Sequence, residues 1–292
     1  VHLNTIAKQL DTRIINHQSV SGGDINKAYL IETDDQKLFV KSNSRPEGAE
    51  MLKTERQAID YLHKINPQFA PKPIAFLEEE GTYYLVMEHI ETKDDRMSTD
   101  AQKDLATIVY ELHQHKGEHF GWSIDNYIGA LPQYNNTDKE NLNWPEFYWK
   151  YRIKPQLEMA IRGDYLDKSI LSIESFFIET VDSFYDEEQK PTLTHGDLWS
   201  GNYLIDINGK ARLIDPALCY SHPDMDLGMS QQFGGFSQSF YDHYYELAGP
   251  PSTPLQEKVR IFQLYFVLVH VNLFGSGYLS QTNSILKAYN LI

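Results

Sequence analysis

The sequence has one cysteine, little positive charge and no long unbroken apolar run. The lone thiol, Cys219, has no partner for an internal disulfide, which fits a reducing compartment, and it reads as a small packed residue. Lysine and arginine number 26 against 41 Asp and Glu, giving a net charge of −15 with the acids spread along the chain. Such a surface repels the phosphates of nucleic acid and anionic membranes, so neither is an expected partner. The most apolar stretch, "VRIFQLYFVLVHVNLFG", is interrupted by Arg260, Gln263, His270 and Asn272. It falls short of the ~20 clean residues of a membrane span and reads as a buried helix. The start, "VHLNTIAKQL", has neither a basic segment nor an apolar run of signal type, so a soluble, cytoplasmic protein is expected.

What is present is enough for a folded core: 292 residues, 41% hydrophobic and 13% aromatic, a length that suits one large domain or two lobes. The first third alternates in the manner of strands. "HQSVSGGDINKAYLIET" reads as strand, Gly turn, strand, and "KLFVKSN" as a third. "PKPIAFLEEEGTYYLVMEHI" gives two more around a Glu-Gly turn. Between them, Met51, Leu52, Ala58, Ile59 and Leu62 recur at helical spacing. From about Ser98 long helical stretches take over, "TDAQKDLATIVYELHQH" and "WPEFYWKYRIKPQLEMAIRG" among them. Two short apolar runs split by Asn208-Gly209 form a hairpin in the middle of them. The expected class is α+β, with a sheet-rich segment over residues 1–90 and a helical segment over 91–292.

Four features then fall in one order. Gly22 and Gly23 lie between two strands, where bare backbone N–H groups can approach a phosphate; a simple hairpin turn would also explain them. Lys41 ends the apolar strand "LFV", from which an ammonium can reach phosphates, or else snorkel to solvent. Glu55 on the next helix can hold that lysine as an ion pair. Last comes "LTHGDLWSGN": His195-Gly196-Asp197, then Asn202 five residues after the Asp, then Asp215 at the end of the hairpin. The protein-kinase catalytic loop has the form H-R-D-x-x-x-x-N, with a metal-binding Asp on the strand pair beyond. Asp197 is then placed to accept a hydroxyl proton, and Asn202 and Asp215 to hold Mg²⁺. Here Gly replaces the Arg. No activation segment ending in A-P-E follows Asp215, which speaks against a regulated protein kinase.

"HGDLWSGN" with "IDPALCYSHPDMDLGMSQQFGGF" resembles the fructosamine-3-kinase (ketosamine kinase) family, relatives of the aminoglycoside phosphotransferases. Stretches such as "FGWSIDNYIGALPQYN" and "FQLYFVLVHVNLFGSGY" extend the resemblance over nearly the whole chain. The resemblance implies a protein-kinase-like bilobal fold, ATP and Mg²⁺ as cofactors, and phosphorylation of the 3-hydroxyl of a ketosamine, leading to deglycation. It implies Asp197 as base and Lys41 at the α- and β-phosphates. At "LVMEHI" it implies a hinge where adenine meets Glu88 C=O and Ile90 N–H, with Met87 beside the ring. Asp226 would prop the catalytic loop together with His195. Some relatives carry a redox-linked Cys after the paired glycines; Asp24 stands there in this chain, so no such switch is expected.

Trp199, two residues after Asp197, is expected to pack on the sugar, or else simply in the core. Asn126 and Gln133 could bind the acceptor, or cap a turn. His113, His115 and His119 lie on different helix faces, which disfavours a zinc site. Trp144, Phe147, Tyr148 and Tyr151 read mainly as core. The alternatives are a kinase of another alcohol (an aminoglycoside, a choline-like compound or a sugar) and a pseudokinase binding module. Nothing in the sequence indicates an oligomeric state.

Overall fold

A computed structural model describes residues 2–20, 25–185, 189–251 and 253–292. The chain falls into two compact units, residues 1–96 with 203–216, and residues 97–202 with 217–292. This grouping differs from the expected division at 90/91 in two respects: residues 91–96 belong to the first unit, and so does the hairpin at 203–216.

The first unit is an antiparallel sheet of β1 (Ile14–Val20), β2 (Lys27–Thr33), β3 (Lys37–Asn43), β4 (Pro73–Glu79) and β5 (Thr82–Glu88), in the order β1-β2-β3-β5-β4. Strand β3 is central, and all but two of its seven residues are buried: Leu38 and Val40 of its apolar run, then the polar Lys41, Ser42 and Asn43. Helix α1 (Leu3–Leu10), which periodicity did not single out, seats Ile6 in a cluster with Ile31, Leu38, Val40, Leu77, Tyr84 and Val86. Helix α2 (Gly48–Ile65) buries the five residues whose spacing marked it. The predicted Gly22-Gly23 turn lies outside the described residues, as does Asp24.

The second unit carries α3 (Thr99–His113), the short pair β6 (Asn126–Ile128) and β7 (Leu131–Gln133), α4 (Trp144–Tyr148), α5 (Lys154–Arg162) and α6 (Glu174–Asp182). It continues with β8 (Thr192–Thr194). The first unit's hairpin β9 (Tyr203–Ile205) and β10 (Ala211–Leu213) intervenes before β11 (Cys219–Ser221), which pairs with β8. Helices α7 (Asp224–Gln232), α8 (Gln238–Ala248), α9 (Leu255–Phe274) and α10 (Leu279–Ala288) close the chain. Trp144, Phe147 and Tyr148 are fully buried in one apolar cluster with Leu264, Phe262 and other residues of α9. A five-residue π-helical turn, Trp149–Ile153, interrupts the expected long helix between α4 and α5, where Pro155 removes a ladder donor. Cys219 is buried and free. Among the described residues no helix is long and apolar enough to cross a membrane.

Candidate active site

In the first unit the chemistry gathers at Lys41. It sits near the end of β3, opposite Ala28 and Leu85 on the flanking strands, and is 7% exposed. Its Nζ donates to Glu55 Oε1 of α2 at 2.6 Å and pairs with the carboxylate of Asp215. Burial alone would pull the ammonium down. The charges of Asp215 and Glu55 overcome that and hold it well above the ordinary lysine range.

Asp215 reaches Lys41 because of the hairpin before it. At the tip, the Asp206 carboxylate accepts from the backbone N–H groups of Asn208 and Lys210, both at 2.9 Å, and Gly209 takes a positive φ. Leu213 N–H donates to Phe69 C=O at 2.8 Å, and Arg212 to Pro67 C=O at 2.8 Å. These bonds fix β10 to the loop after α2. Asp215 itself has φ +55, a left-handed conformation that Asp tolerates better than most residues. At the end of β5, Met87 is buried, Glu88 is the last residue of the strand, and Ile90 lies two residues beyond.

In the second unit the loop after β8 is built on Asp226 of α7. Its fully buried carboxylate accepts from His195 N–H at 2.7 Å and Gly196 N–H at 2.9 Å. Two bonds to consecutive amides orient the peptide that leads into Asp197. Gly196 has φ +82, and a Cβ there would lie 2.0 Å from the Ala217 carbonyl oxygen. That contact explains why the Arg of the protein-kinase motif gives way to glycine here. Asn202 closes the loop: its Nδ2 donates to Asp197 C=O at 2.9 Å and to Asp197 Oδ2 at 3.0 Å. The spacing of five residues thus brings the amide onto the carboxylate it was expected to serve beside.

No sequence pattern signals what supports Asp226 from behind. His113, weighed only as a metal ligand, puts Nε2 3.1 Å from Asp226 Oδ2 and Nδ1 2.8 Å from the Tyr244 hydroxyl. Because the Asp226 carboxylate can only accept, Nε2 carries a hydrogen and donates to it. A chain of bonds therefore runs from α8 through α3 and α7 to the loop after β8.

A family model described as fructosamine kinase matches residues 2–291. The chain belongs to the fructosamine kinase family. It is 33% identical to the ketosamine-3-kinase of Mus musculus, over 91% of this chain and 92% of that one. It is 34% identical to the chloroplastic protein-ribulosamine 3-kinase of Arabidopsis thaliana, over 95% and 83%. The solved structure of a candidate fructosamine-3-kinase from Thermobifida fusca matches with TM-score 0.85 at 26% identity, covering 99% of each chain. The α+β, protein-kinase-like fold is that of this family.

Within this fructosamine kinase, two further expectations meet different outcomes. Trp199 is 37% exposed and its ring lies over Gly201, where a Cβ would fall 2.3 Å from it. Asn126 instead is 5% exposed, and both ends of its amide are engaged. Nδ2 donates to Leu218 C=O at 3.0 Å, and Oδ1 accepts from Gln133 at 2.9 Å and Asn135 at 3.0 Å. Gln133 also donates to Ala217 C=O at 3.0 Å and accepts from Tyr265 O–H at 2.9 Å. Both amides brace the backbone at residues 217–218, which is the turn-bracing alternative for Asn126.

The residues expected to hold Mg²⁺ suit that ion by chemistry. Asp215 offers a carboxylate whose side chain is 43% exposed. Asn202 spends its amide hydrogens on Asp197, leaving Oδ1 as a donor atom. A carboxylate and an amide oxygen are each ligand types that Mg²⁺ accepts.

Proposed function

We propose that the chain is an ATP-dependent kinase that phosphorylates the sugar 3-hydroxyl of ketosamines. The observation that carries the reading is the Asn202–Asp197 pair: a carboxylate held in one orientation at the start of the loop "DLWSGN", within a chain matched end to end by its family. The mammalian and plant relatives are named for ketosamine and protein-bound ribulosamine substrates, which sets the acceptor class.

Asp197 takes the proton of the acceptor hydroxyl as that oxygen attacks the γ-phosphorus. Hydrogen bonding from Asn202 to Oδ2 fixes the orientation in which the carboxylate meets the hydroxyl. Lys41 contacts the α- and β-phosphates, which take over part of the charge that Asp215 and Glu55 now neutralise. Bound at Asn202 and Asp215, Mg²⁺ would neutralise charge on the β- and γ-phosphates. Glu88 C=O and Ile90 N–H, beside Met87, receive the adenine, and Gly22 and Gly23 cover the phosphates. Trp199 offers its exposed face to the sugar carbons. His195 and Asp226 position the loop. A phosphate on C3 stands next to the C2 carbonyl, an unstable arrangement whose breakdown frees the amine, so the outcome is deglycation.

Asp197→Asn tests the assignment of the base. The variant should bind ATP as the wild type does and lose most of kcat. An unchanged kcat would remove Asp197 from the chemistry.

A further inference from the structure

Exposed apolar side chains that stand singly need no explanation, and Ile15, Met97 and Phe176 are of that kind. Trp199, Phe233 and Phe274 are different. They are 37, 41 and 56% exposed and belong to one connected row of rings in the second unit. Trp199 meets Phe233 edge-on at 6.2 Å between centroids, and Phe233 meets His270 at 4.8 Å. His270 in turn meets Phe274 at 5.4 Å and Tyr278 at 5.0 Å.

The row starts at the catalytic loop and is fastened to it. Gly235 has φ +86, and a Cβ there would stand 2.2 Å from Ser200 Cβ, so the segment 233–236 presses against the residue that follows Trp199. At the far end α9 stops at Phe274 and Gly275, and a 3₁₀ turn brings Tyr278 back onto His270. His270 donates from Nδ1 to Phe266 C=O at 2.7 Å. Burial lowers its pKa, so the ring is neutral near pH 7 and places no positive charge in the row.

A ketosamine has two parts, a sugar and an amine with its substituent. When a sugar hydroxyl is at Asp197, one sugar can cover Trp199 but not the four rings beyond it. The amine of a ketosamine is protonated at neutral pH, and aromatic faces attract such a cation. An apolar substituent on that amine would bury ring surface now open to water.

We propose that Phe233, His270, Phe274 and Tyr278 form a subsite for the amine side of the acceptor, selecting a secondary ammonium that carries an apolar or aromatic group. The proposal rests on the ketosamine-kinase reading above and adds which ketosamines are favoured.

The test uses two adducts of one sugar, on methylamine and on benzylamine, with ATP and Mg²⁺. The wild type should favour the benzylamine adduct by about tenfold or more in kcat/KM, the scale of discrimination an apolar subsite provides. Phe274→Ala with Tyr278→Ala should bring that ratio close to one. Phe274→Gln, at a side chain already mostly in water, should lower it in the same direction without threatening the fold. A wild-type ratio near one, or a ratio that both variants leave intact, overturns the subsite. Turnover of neither adduct, while another alcohol is phosphorylated, removes the ketosamine reading itself and the subsite with it.

Discussion

Replacing Gly196 by alanine perturbs the one point where two constraints on the catalytic loop coincide. The added methyl would sit 2.0 Å from Ala217 O and 2.8 Å from Ala217 C, both backbone atoms, at a φ of +82. Holding a non-glycine residue in a left-handed conformation costs about 1–2 kcal/mol, and overpacking a fixed contact typically adds about 1–3 kcal/mol. The sum, about 2–5 kcal/mol, is less than the stability of an ordinary domain, so much of the protein should still fold. Gly81 separates the two contributions: it has φ +72 with nothing within 4 Å of a Cβ. Gly81→Ala should cost only the backbone part. Urea unfolding of both variants measures the difference, and kcat at saturating ATP shows whether the loop has moved. The reasoning predicts that Gly196→Ala loses clearly more stability than Gly81→Ala and at least about tenfold in kcat. Equal losses, with kcat untouched, would refute it.

Three further outcomes are expected. Asp226→Asn keeps the shape but turns an N–H toward His195 or Gly196, leaving a buried donor unpaired; kcat should fall while the KM for ATP stays near wild type, as kinetics on the folded variant will show. Glu55→Gln removes one of the two charges on Lys41, and kcat/KM for ATP should drop about tenfold. His222 is buried with Nδ1 accepting from Asp224 N–H at 3.1 Å, and burial lowers its pKa to about 4. Its folded value lies below the unfolded value of about 6.5, so the unfolded chain binds the extra proton. Stability is therefore unaffected by this group above about pH 6.5 and falls as pH drops toward 4, by up to about 3 kcal/mol. His222→Gln should flatten that part of the acid unfolding profile; a profile identical to wild type would contradict the assignment.

The local parts of the site were legible because each is carried by a short pattern. An apolar run ending in Lys41, a helical repeat containing Glu55 and the five-residue step from Asp197 to Asn202 are readable from neighbours alone. What supports them is not, since it depends on pairs far apart in sequence. His113 reaches Asp226 across 113 positions, and Tyr265 reaches Gln133 across 132. Periodicity cannot see such contacts, so neither the support of Asp226 by His113 nor the bracing by Asn126 is readable from neighbours. The same holds for the hairpin, which bonds from β10 to Phe69 and Pro67 draw into the first unit. The string F-G-G-F was recognisable, but its use became clear only when Gly235 was found against Ser200.

The position of the transferred phosphate tests the central claim most directly. Incubation with ATP, Mg²⁺ and a ketosamine labelled with ¹³C in the sugar, followed by ³¹P and ¹³C NMR, reports which carbon becomes phosphorylated. The account predicts phosphorus coupling at C3, then loss of that signal as the free amine appears. Phosphate on another carbon, or no ADP formed with ketosamines while an aminoglycoside or choline-like alcohol supports turnover, would contradict it.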